Sequence, residues 1–127
     1  METQEKKKVL IVDDDENLRV MMGDKLVASG FDAFSARDGD EGLAKALAAH
    51  PDVILLDILM PKVNGWEMLE RLRNDTWGKQ AHVIMLTSLD GVDNVAHALK
   101  RGSYDYFVKT NANLDDIVKR VKEKLEL

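Results

Sequence analysis

The sequence predicts a single α/β domain in which a parallel sheet is covered by helices on both faces. Three observations lead to this fold class. Short apolar runs alternate with amphipathic stretches, the connections between them are short, and three of the runs contain no polar residue. A strand without polar positions is typical of a parallel sheet, because helices bury both of its faces. The 127 residues suffice for one compact core.

The first half of the chain contains two strands and two helices. Residues 9–12 are aliphatic and mostly β-branched, as in a strand that is buried on both faces. Apolar side chains at every fourth position predict a helix over residues 16–28, with Gly30 at its C-terminal end. Residues 31–36 are partly polar, so we expect an edge strand there, and the helical pattern returns over residues 42–50.

The second half of the chain repeats this alternation. Two apolar strands are predicted over residues 53–56 and 83–86, with an amphipathic helix between them. A helix over residues 92–99 then precedes an aromatic strand over residues 104–108, and aliphatic residues stripe a last helix over residues 114–125. Five strands therefore alternate with five helices, without an internal domain boundary.

Composition excludes several classes of protein. The absence of cysteine removes disulfides, thiolate metal sites and a cysteine nucleophile. The net charge of -5 argues against direct binding of nucleic acid, which requires clustered Lys and Arg. No apolar run approaches the roughly 20 residues of a membrane helix, so we expect no membrane contact and a cytoplasmic location. Residues 1–8 are predicted to be a flexible tail, and residues 9–127 the folded domain.

Chemically active side chains follow the predicted strands where each strand ends. Asp13 and Asp14 follow the first strand, Asp57 the third, Thr87 the fourth and Lys109 the fifth. Parallel strands bring their carboxyl ends to one edge of the sheet, where ligands bind at the point of reversed strand order. Three carboxylates at this edge repel one another unless a cation is bound, and such oxygen ligands suit Mg²⁺.

This set of side chains fits phosphoryl transfer. That reaction needs an aligned nucleophile, a divalent cation and donors to the equatorial oxygens. Asp57 is the candidate nucleophile and would form an acyl phosphate. Taken singly, Thr87 is more simply the end of a strand, Lys109 a solvated surface charge, and Asp15 the N-cap of the first helix. Only the coincidence of the acids, Thr87 and Lys109 at one edge favours a functional site.

Four motifs resemble the receiver domains of two-component signalling. They occur in the family's order and cover nearly the whole chain: Ile-Val-Asp-Asp at 11–14, Asp-Ile-Leu-Met-Pro at 57–61 with Asn64 and Gly65, Leu-Thr-Ser at 86–88, and Tyr-Phe-Val-Lys at 106–109. The resemblance implies a response regulator receiver domain with a flavodoxin-like (βα)5 fold. That fold is a three-layer sandwich whose parallel strands have the order 2-1-3-4-5.

The same resemblance implies Mg²⁺ as cofactor and Asp57 as the phosphoacceptor. Asp14 and Asp57 would bind the metal directly, the backbone carbonyl of Leu59 would complete the protein ligands, and Asp13 would act through water. The phosphoryl group would come from a histidine kinase or a phosphotransfer protein. The chain would thus be a signalling phosphoacceptor that promotes only its own phosphorylation and dephosphorylation, not an enzyme acting on other molecules.

The resemblance also implies how the signal is passed on. Thr87 and Lys109 would contact the phosphoryl oxygens, and Thr87 and Tyr106 would be the switch residues. Their movement would change the surface formed by the predicted fourth helix, fifth strand and fifth helix, where a downstream protein or output domain binds. The family also allows a homodimer that depends on phosphorylation. Since no output domain follows the last helix, we expect a stand-alone receiver or a segment of a longer regulator.

One junction departs from the family pattern, and other functions stay open. The family usually follows its lysine with proline through a cis bond, whereas Thr110 follows Lys109 here. A cis bond before threonine costs about 2.5–4 kcal/mol, against roughly 0.5–1 for proline, so the placement of Lys109 is open. The chain could therefore be a degenerate receiver that binds proteins without phosphorylation. An aspartyl-phosphate hydrolase would need Asp-x-Asp-x-Thr after the first strand, whereas Asp15, Glu16 and Asn17 continue the sequence differently here. A flavin site would need a Gly-, Ser- and Thr-rich loop at the same place, and the three aspartates there would repel its phosphate.

Overall fold

A computed structural model describes residues 6–58, 60–87, 105–108 and 114–127 of the chain. The elements, in chain order, are β1 (Lys8–Val12), α1 (Glu16–Ala28), β2 (Asp32–Ala36), α2 (Gly39–Ala49), β3 (Val53–Asp57), α3 (Gly65–Arg73), a short 3-10 helix (Gly78–Gln80), β4 (Val83–Thr87), β5 (Asp105–Val108) and a C-terminal helix (Leu114–Lys124). The predicted helix over residues 92–99 lies outside the described residues. Within the described residues, no helix is long and apolar enough to cross a membrane.

The strands form one parallel sheet in the order β2-β1-β3-β4-β5. This arrangement confirms the predicted fold class and strand order. The polar strand β2 lies at an edge, as its composition predicts, and it pairs only with β1 among the described strands. The chain adds β2 on one side of β1 and then adds β3 on the other side. The strand order therefore reverses between β1 and β3.

Two apolar clusters fill the two faces of the sheet. Leu10 and Val12 of β1 belong to the cluster beneath α2 and α3, whereas Val9 and Ile11 belong to the cluster beneath α1 and the C-terminal helix. Strands β3 and β4 divide their residues between the faces in the same alternating way. Apart from Lys8, Asp57 and Thr87 at their ends, the central strands are apolar because both of their faces are buried.

Polar side chains define where the first three helices begin. Asp15, Asp38 and Asn64 each accept a hydrogen bond from the backbone N–H three residues further on, at 3.2, 2.8 and 3.0 Å. Replacing such an N-cap by alanine typically lowers stability by about 1 kcal/mol. The cap at Asp15 confirms the structural role expected for that residue. Because Asp38 also acts as a cap, α2 begins at Gly39, before the start predicted at residue 42.

Strand β1 begins one residue earlier than predicted. Lys8, which we assigned to the tail, is the first residue of β1. Its backbone N–H donates to Asp52 Oδ2 at 2.7 Å, and its ammonium group donates to the carbonyl of Ala49 at 2.5 Å. These bonds tie the start of the sheet to the connection between α2 and β3. Lys6 and Lys7, just before the strand, are exposed.

Candidate metal centre

The carboxyl ends of β1 and β3 lie side by side where the strand order reverses. Val12 pairs with Leu56 in the parallel ladder, so the next residues, Asp13 and Asp57, are neighbours at the edge of the sheet. The N–H of Asp13 donates to the carbonyl of Ala36 at 3.1 Å, which continues the pairing with β2 for one more residue. Open parallel sheets bind their ligands at this place.

The three acids predicted from the sequence form one cluster. Asp13, Asp14 and Asp57 each offer a carboxylate oxygen, and these oxygens all lie within 4.8 Å of one another. Asp13 is fully buried and Asp57 is 5% exposed, whereas Asp14 is exposed. Among the described residues, Asp13 and Asp57 are the only polar or charged residues that are buried. The structure therefore gathers negative charge at the one edge where a ligand is expected.

The charges of this cluster explain which ligand it fits. Two negative charges 4.8 Å apart repel each other by roughly 3.5 kcal/mol at an effective dielectric constant of about 20. Buried charges are normally paired or bound to a metal. A hard divalent cation would turn this repulsion into attraction, and Mg²⁺ takes one or two carboxylates together with carbonyl oxygens and water. The oxygen-only donor set fits such an ion.

Hydrogen bonds determine the conformation of the turn after β1. The Oδ1 atom of Asp13 accepts the N–H of Asp15 at 2.9 Å, and Arg19 Nη1 donates to the backbone carbonyl of Asp13 at 2.7 Å. The orientation of the Asp13 carboxylate and the course of the main chain toward Asp14 are thereby both restrained. The sequence analysis did not single out Arg19. Its position one helical turn after the cap residue Asp15 is the signal that could have identified it.

Close backbone packing holds the loop that follows β3. The N–H of Ile58 donates to the carbonyl of Leu86 at 3.2 Å, and the N–H of Gly65 donates to the carbonyl of Ile58 at 2.9 Å. A Cβ atom at Gly65 would overlap the carbonyl oxygen of Asp57 and lie 2.8 Å from Ile58 Cα. Only glycine therefore lets α3 begin this close to the end of β3. In the same loop, Lys62 has a φ of 65°.

The backbone of Thr87 reaches the same edge of the sheet. Asp57 pairs with Leu86 in the ladder between β3 and β4, and Thr87 is the next residue. Thr87 pairs in turn with Val108, the last residue of β5. The described backbone is thus consistent with the predicted set of strand ends.

The other predicted site residues are described only in part. Tyr106 lies in β5 and pairs with Met85 of β4. The side chains of Thr87 and Tyr106 lie outside the described part of the structure, as do Leu59 and Lys109 entirely, together with the bond between Lys109 and Thr110. Their assigned roles stay predictions.

Comparison with known proteins agrees with this architecture. The model of the response regulator receiver domain family matches residues 9–122. The chain belongs to this family. The chemotaxis protein CheY4 of Vibrio cholerae is similar to this receiver with a TM-score of 0.88 and 31% identity, over 94% of this chain and 98% of that one. The receiver domain of the Francisella response regulator 1452 has a TM-score of 0.85 and 33% identity, over 94% and 97% of the two chains.

Longer regulators contain a similar domain. The alkaline phosphatase synthesis transcriptional regulatory protein PhoP of Bacillus subtilis is 35% identical to this receiver over 120 residues, which make up 90% of this chain and 49% of PhoP. The DNA-binding dual master transcriptional regulator RpaA of Synechocystis is 33% identical over 118 residues, or 93% of this chain and 48% of RpaA. The chain spans about half the length of these relatives. It is a receiver domain of the kind used in two-component signalling.

Proposed function

We propose that this receiver accepts a phosphoryl group on Asp57 in a reaction that depends on Mg²⁺. The observation that carries the proposal is the cluster of Asp13, Asp14 and Asp57, whose oxygens lie within 4.8 Å of one another where the strand order reverses. A cation explains why like charges are gathered there. A carboxylate next to a divalent cation is in turn the arrangement that phosphoryl transfer requires.

The environments of the acids support different roles for them. Asp14 and Asp57 would bind the metal directly, with the carbonyl of Leu59 as the third protein ligand. Asp13 has no exposed surface, and its Oδ1 atom already accepts the N–H of Asp15. Asp13 is therefore suited to act through water, and it is not accessible to a phosphodonor. Asp57 ends the central strand β3 and keeps a small exposed fraction.

The chemistry requires little of the protein beyond alignment. One carboxylate oxygen of Asp57 attacks the phosphorus of a phosphohistidine, so that an O–P bond forms and the P–N bond breaks. The imidazole nitrogen keeps the electron pair and takes up a proton. When bound, Mg²⁺ neutralises charge on the transferring group. Thr87 and Lys109 would donate to the equatorial oxygens, because the phosphorylated residue carries about 1.5–2 negative charges in place of one.

The output of this reaction is a change of protein contacts. Thr87 would move toward the phosphoryl group and Tyr106 would turn inward. These movements would remodel the surface formed by the predicted fourth helix, β5 and the C-terminal helix. The partners would be a histidine kinase or phosphotransfer protein on one side and a downstream protein or output domain on the other, in the cytoplasm. A homodimer would be one form of this output. The receiver would bind no nucleic acid itself, and it would act as a phosphoacceptor without substrates of its own.

The proposal is tested by intact-mass analysis after incubation with a small phosphodonor. We expect the wild type to gain one phosphoryl group with Mg²⁺ and none with a chelator. The Asp57→Asn variant should gain none. Asp24→Asn is the matched control, because Asp24 lies exposed on α1 and the substitution removes the same charge away from the cluster. It should be modified like the wild type.

Other outcomes would favour the alternatives. A wild type that binds Mg²⁺ but gains no mass would contradict the proposal and favour a degenerate receiver with a defect at Lys109 and Thr110. Rapid hydrolysis of added phosphomonoesters with turnover would favour a hydrolase. Modification of the Asp57→Asn variant at the wild-type rate would place the acceptor elsewhere.

A further inference from the structure

We propose that Arg19 is a positioning residue for metal binding, because it holds the backbone from which Asp13 and Asp14 present their carboxylates. The inference rests on the proposed function of the acidic cluster as a Mg²⁺ site. It goes beyond that function by assigning part of the metal affinity to a residue that does not touch the metal.

The hydrogen bonds around the turn after β1 support this role. Arg19 Nη1 donates to the carbonyl of Asp13 at 2.7 Å, a short bond from a charged donor. The N–H of Arg19 donates to the carbonyl of Asp15 at 3.0 Å, which fixes Arg19 in the first turn of α1. The guanidinium group therefore connects the first turn of α1 to the residue that directly follows β1. Asp14 lies between these two anchored points.

A second hydrogen bond restrains the same turn. The N–H of Asp15 donates to Asp13 Oδ1 at 2.9 Å, and Asp15 itself caps α1. The carboxylate and the carbonyl of Asp13 are thus held by different partners. Loss of the bond from Arg19 would leave the carboxylate held but free the peptide unit that leads to Asp14. We expect the position of the Asp14 carboxylate to change most, because Asp14 is exposed and fewer neighbours pack against it.

The role of Arg19 as a donor can be separated from its role as a charge. Among the described residues, no ion pair within 4.0 Å joins Arg19 to a carboxylate, and its hydrogen bond goes to a neutral carbonyl. A nearby positive charge by itself weakens the binding of a cation. Its removal should then tighten Mg²⁺ binding, whereas loss of positioning should weaken it. The two effects have opposite signs, so the sign of the change identifies the dominant role.

The test compares Mg²⁺ binding by calorimetry with amide hydrogen exchange of the metal-free protein. We expect Arg19→Met to raise the Kd for Mg²⁺ about tenfold, as is typical when an outer-shell partner of a metal ligand is lost. The amide of Asp15 should also exchange faster in the metal-free variant. Arg19→Lys keeps the charge but not the planar donor, and it should raise the Kd as well. Arg71→Met is the control, because it removes the same charge from an exposed position on α3.

The outcomes separate this inference from the proposed function. An unchanged or lower Kd in Arg19→Met, with the fold intact, would overturn the positioning role even if the variant were less stable. If Arg19→Met did not fold, the Kd of Arg19→Lys would decide in the same way. A wild type that binds no Mg²⁺ would refute the inference and the proposed function together. A wild type that binds Mg²⁺ with the same Kd as both variants would refute only the inference.

Discussion

The carboxyl ends and the amino ends of the parallel strands, which we call the carboxyl edge and the amino edge of the sheet, differ in how their charged groups are stabilised. At the carboxyl edge, Asp13, Asp14 and Asp57 bring like charges within 4.8 Å of one another, and two of these residues are buried. At the amino edge, charged groups meet partners that stabilise them. Lys8 binds the carbonyl of Ala49, and Arg73 Nη1 donates to two main-chain carbonyls near the 3-10 helix at 2.7 and 2.8 Å.

Two stacked aromatic rings also pack against each other at the amino edge. The rings of His50 and Trp77 stack with their centroids 4.3 Å apart and their planes at 8°. This contact joins the end of α2 to the connection between α3 and β4. The comparison teaches that one edge of the sheet favours stability, whereas the other gathers like charges that a bound cation would stabilise. Like charges that are held close together at some cost in stability are expected at functional sites.

The largest expected effect comes from alanine at two closely packed glycines. A Cβ atom would overlap the Asp57 carbonyl at Gly65 and the Leu72 carbonyl at Gly78. We expect each Gly→Ala variant to lower the free energy of unfolding by about 1–3 kcal/mol, because backbone must move in both. Only Gly65→Ala should also raise the Kd for Mg²⁺. Urea denaturation measures the free energy of unfolding, and a Mg²⁺ titration measures the Kd. Equal effects of the two variants on the Kd would contradict the predicted difference between the edges.

A smaller effect, of opposite sign at the two edges, should follow the removal of one negative charge. Without metal, Asp57→Asn should raise the free energy of unfolding by roughly 1–2 kcal/mol, because it relieves repulsion among the acids. Asp52→Asn should lower it by about 1 kcal/mol, because Asp52 accepts the N–H of Lys8 as a charged partner at 2.7 Å. Denaturant unfolding in the presence of a chelator measures both.

The same pair of variants should respond differently to metal. Mg²⁺ at a hundred times its Kd stabilises a folded protein by about 2.7 kcal/mol. The wild type and Asp52→Asn should gain this stability, and Asp57→Asn should gain much less. A metal-free Asp57→Asn that is less stable than the wild type would contradict our description of the cluster as electrostatically unfavourable.

The smallest effect concerns two residues with positive φ. Lys62 at the carboxyl edge has a φ of 65°, and His50 at the amino edge has a φ of 49°. Lys62→Gly should raise the free energy of unfolding by roughly 0.5–1 kcal/mol, because glycine adopts this conformation without steric strain. His50→Gly gains the same relief but loses a ring stack worth about 0.5–1.5 kcal/mol, so its net change should be near zero or unfavourable. A clear stabilisation by His50→Gly, seen in thermal unfolding, would show that the stack contributes little.

Much of the fold could be predicted because burial leaves a direct signal in the sequence. Runs such as Val9–Val12 have no polar position, and both faces of that strand are indeed buried. The bounds of α1 match the prediction, since its cap and its apolar spacing agree. The start of α2 was predicted too late because its first turn, Gly39 to Glu41, carries no apolar spacing and only the cap at Asp38 marks it.

The candidate site was predictable to the extent that it depends on strand ends. Asp13, Asp14 and Asp57 could be placed together because the carboxyl ends of parallel strands share one edge. Helical spacing from Asp15 could have marked Arg19 as a candidate. Neither the bond that Arg19 makes nor the close approach at Gly65 could be predicted, because both depend on how α1 and α3 pack against those strand ends. Spacing along the chain does not specify such distances.

The central claim is that Asp57 alone accepts the phosphoryl group, and reductive trapping tests it most directly. Borohydride reduces an aspartyl phosphate to homoserine, and peptide sequencing by mass spectrometry then locates the modified residue. After incubation with a phosphodonor and Mg²⁺, we predict homoserine at position 57 and aspartate at positions 13, 14 and 52. Homoserine at one of those other positions, or none in a sample that binds Mg²⁺, would contradict the account.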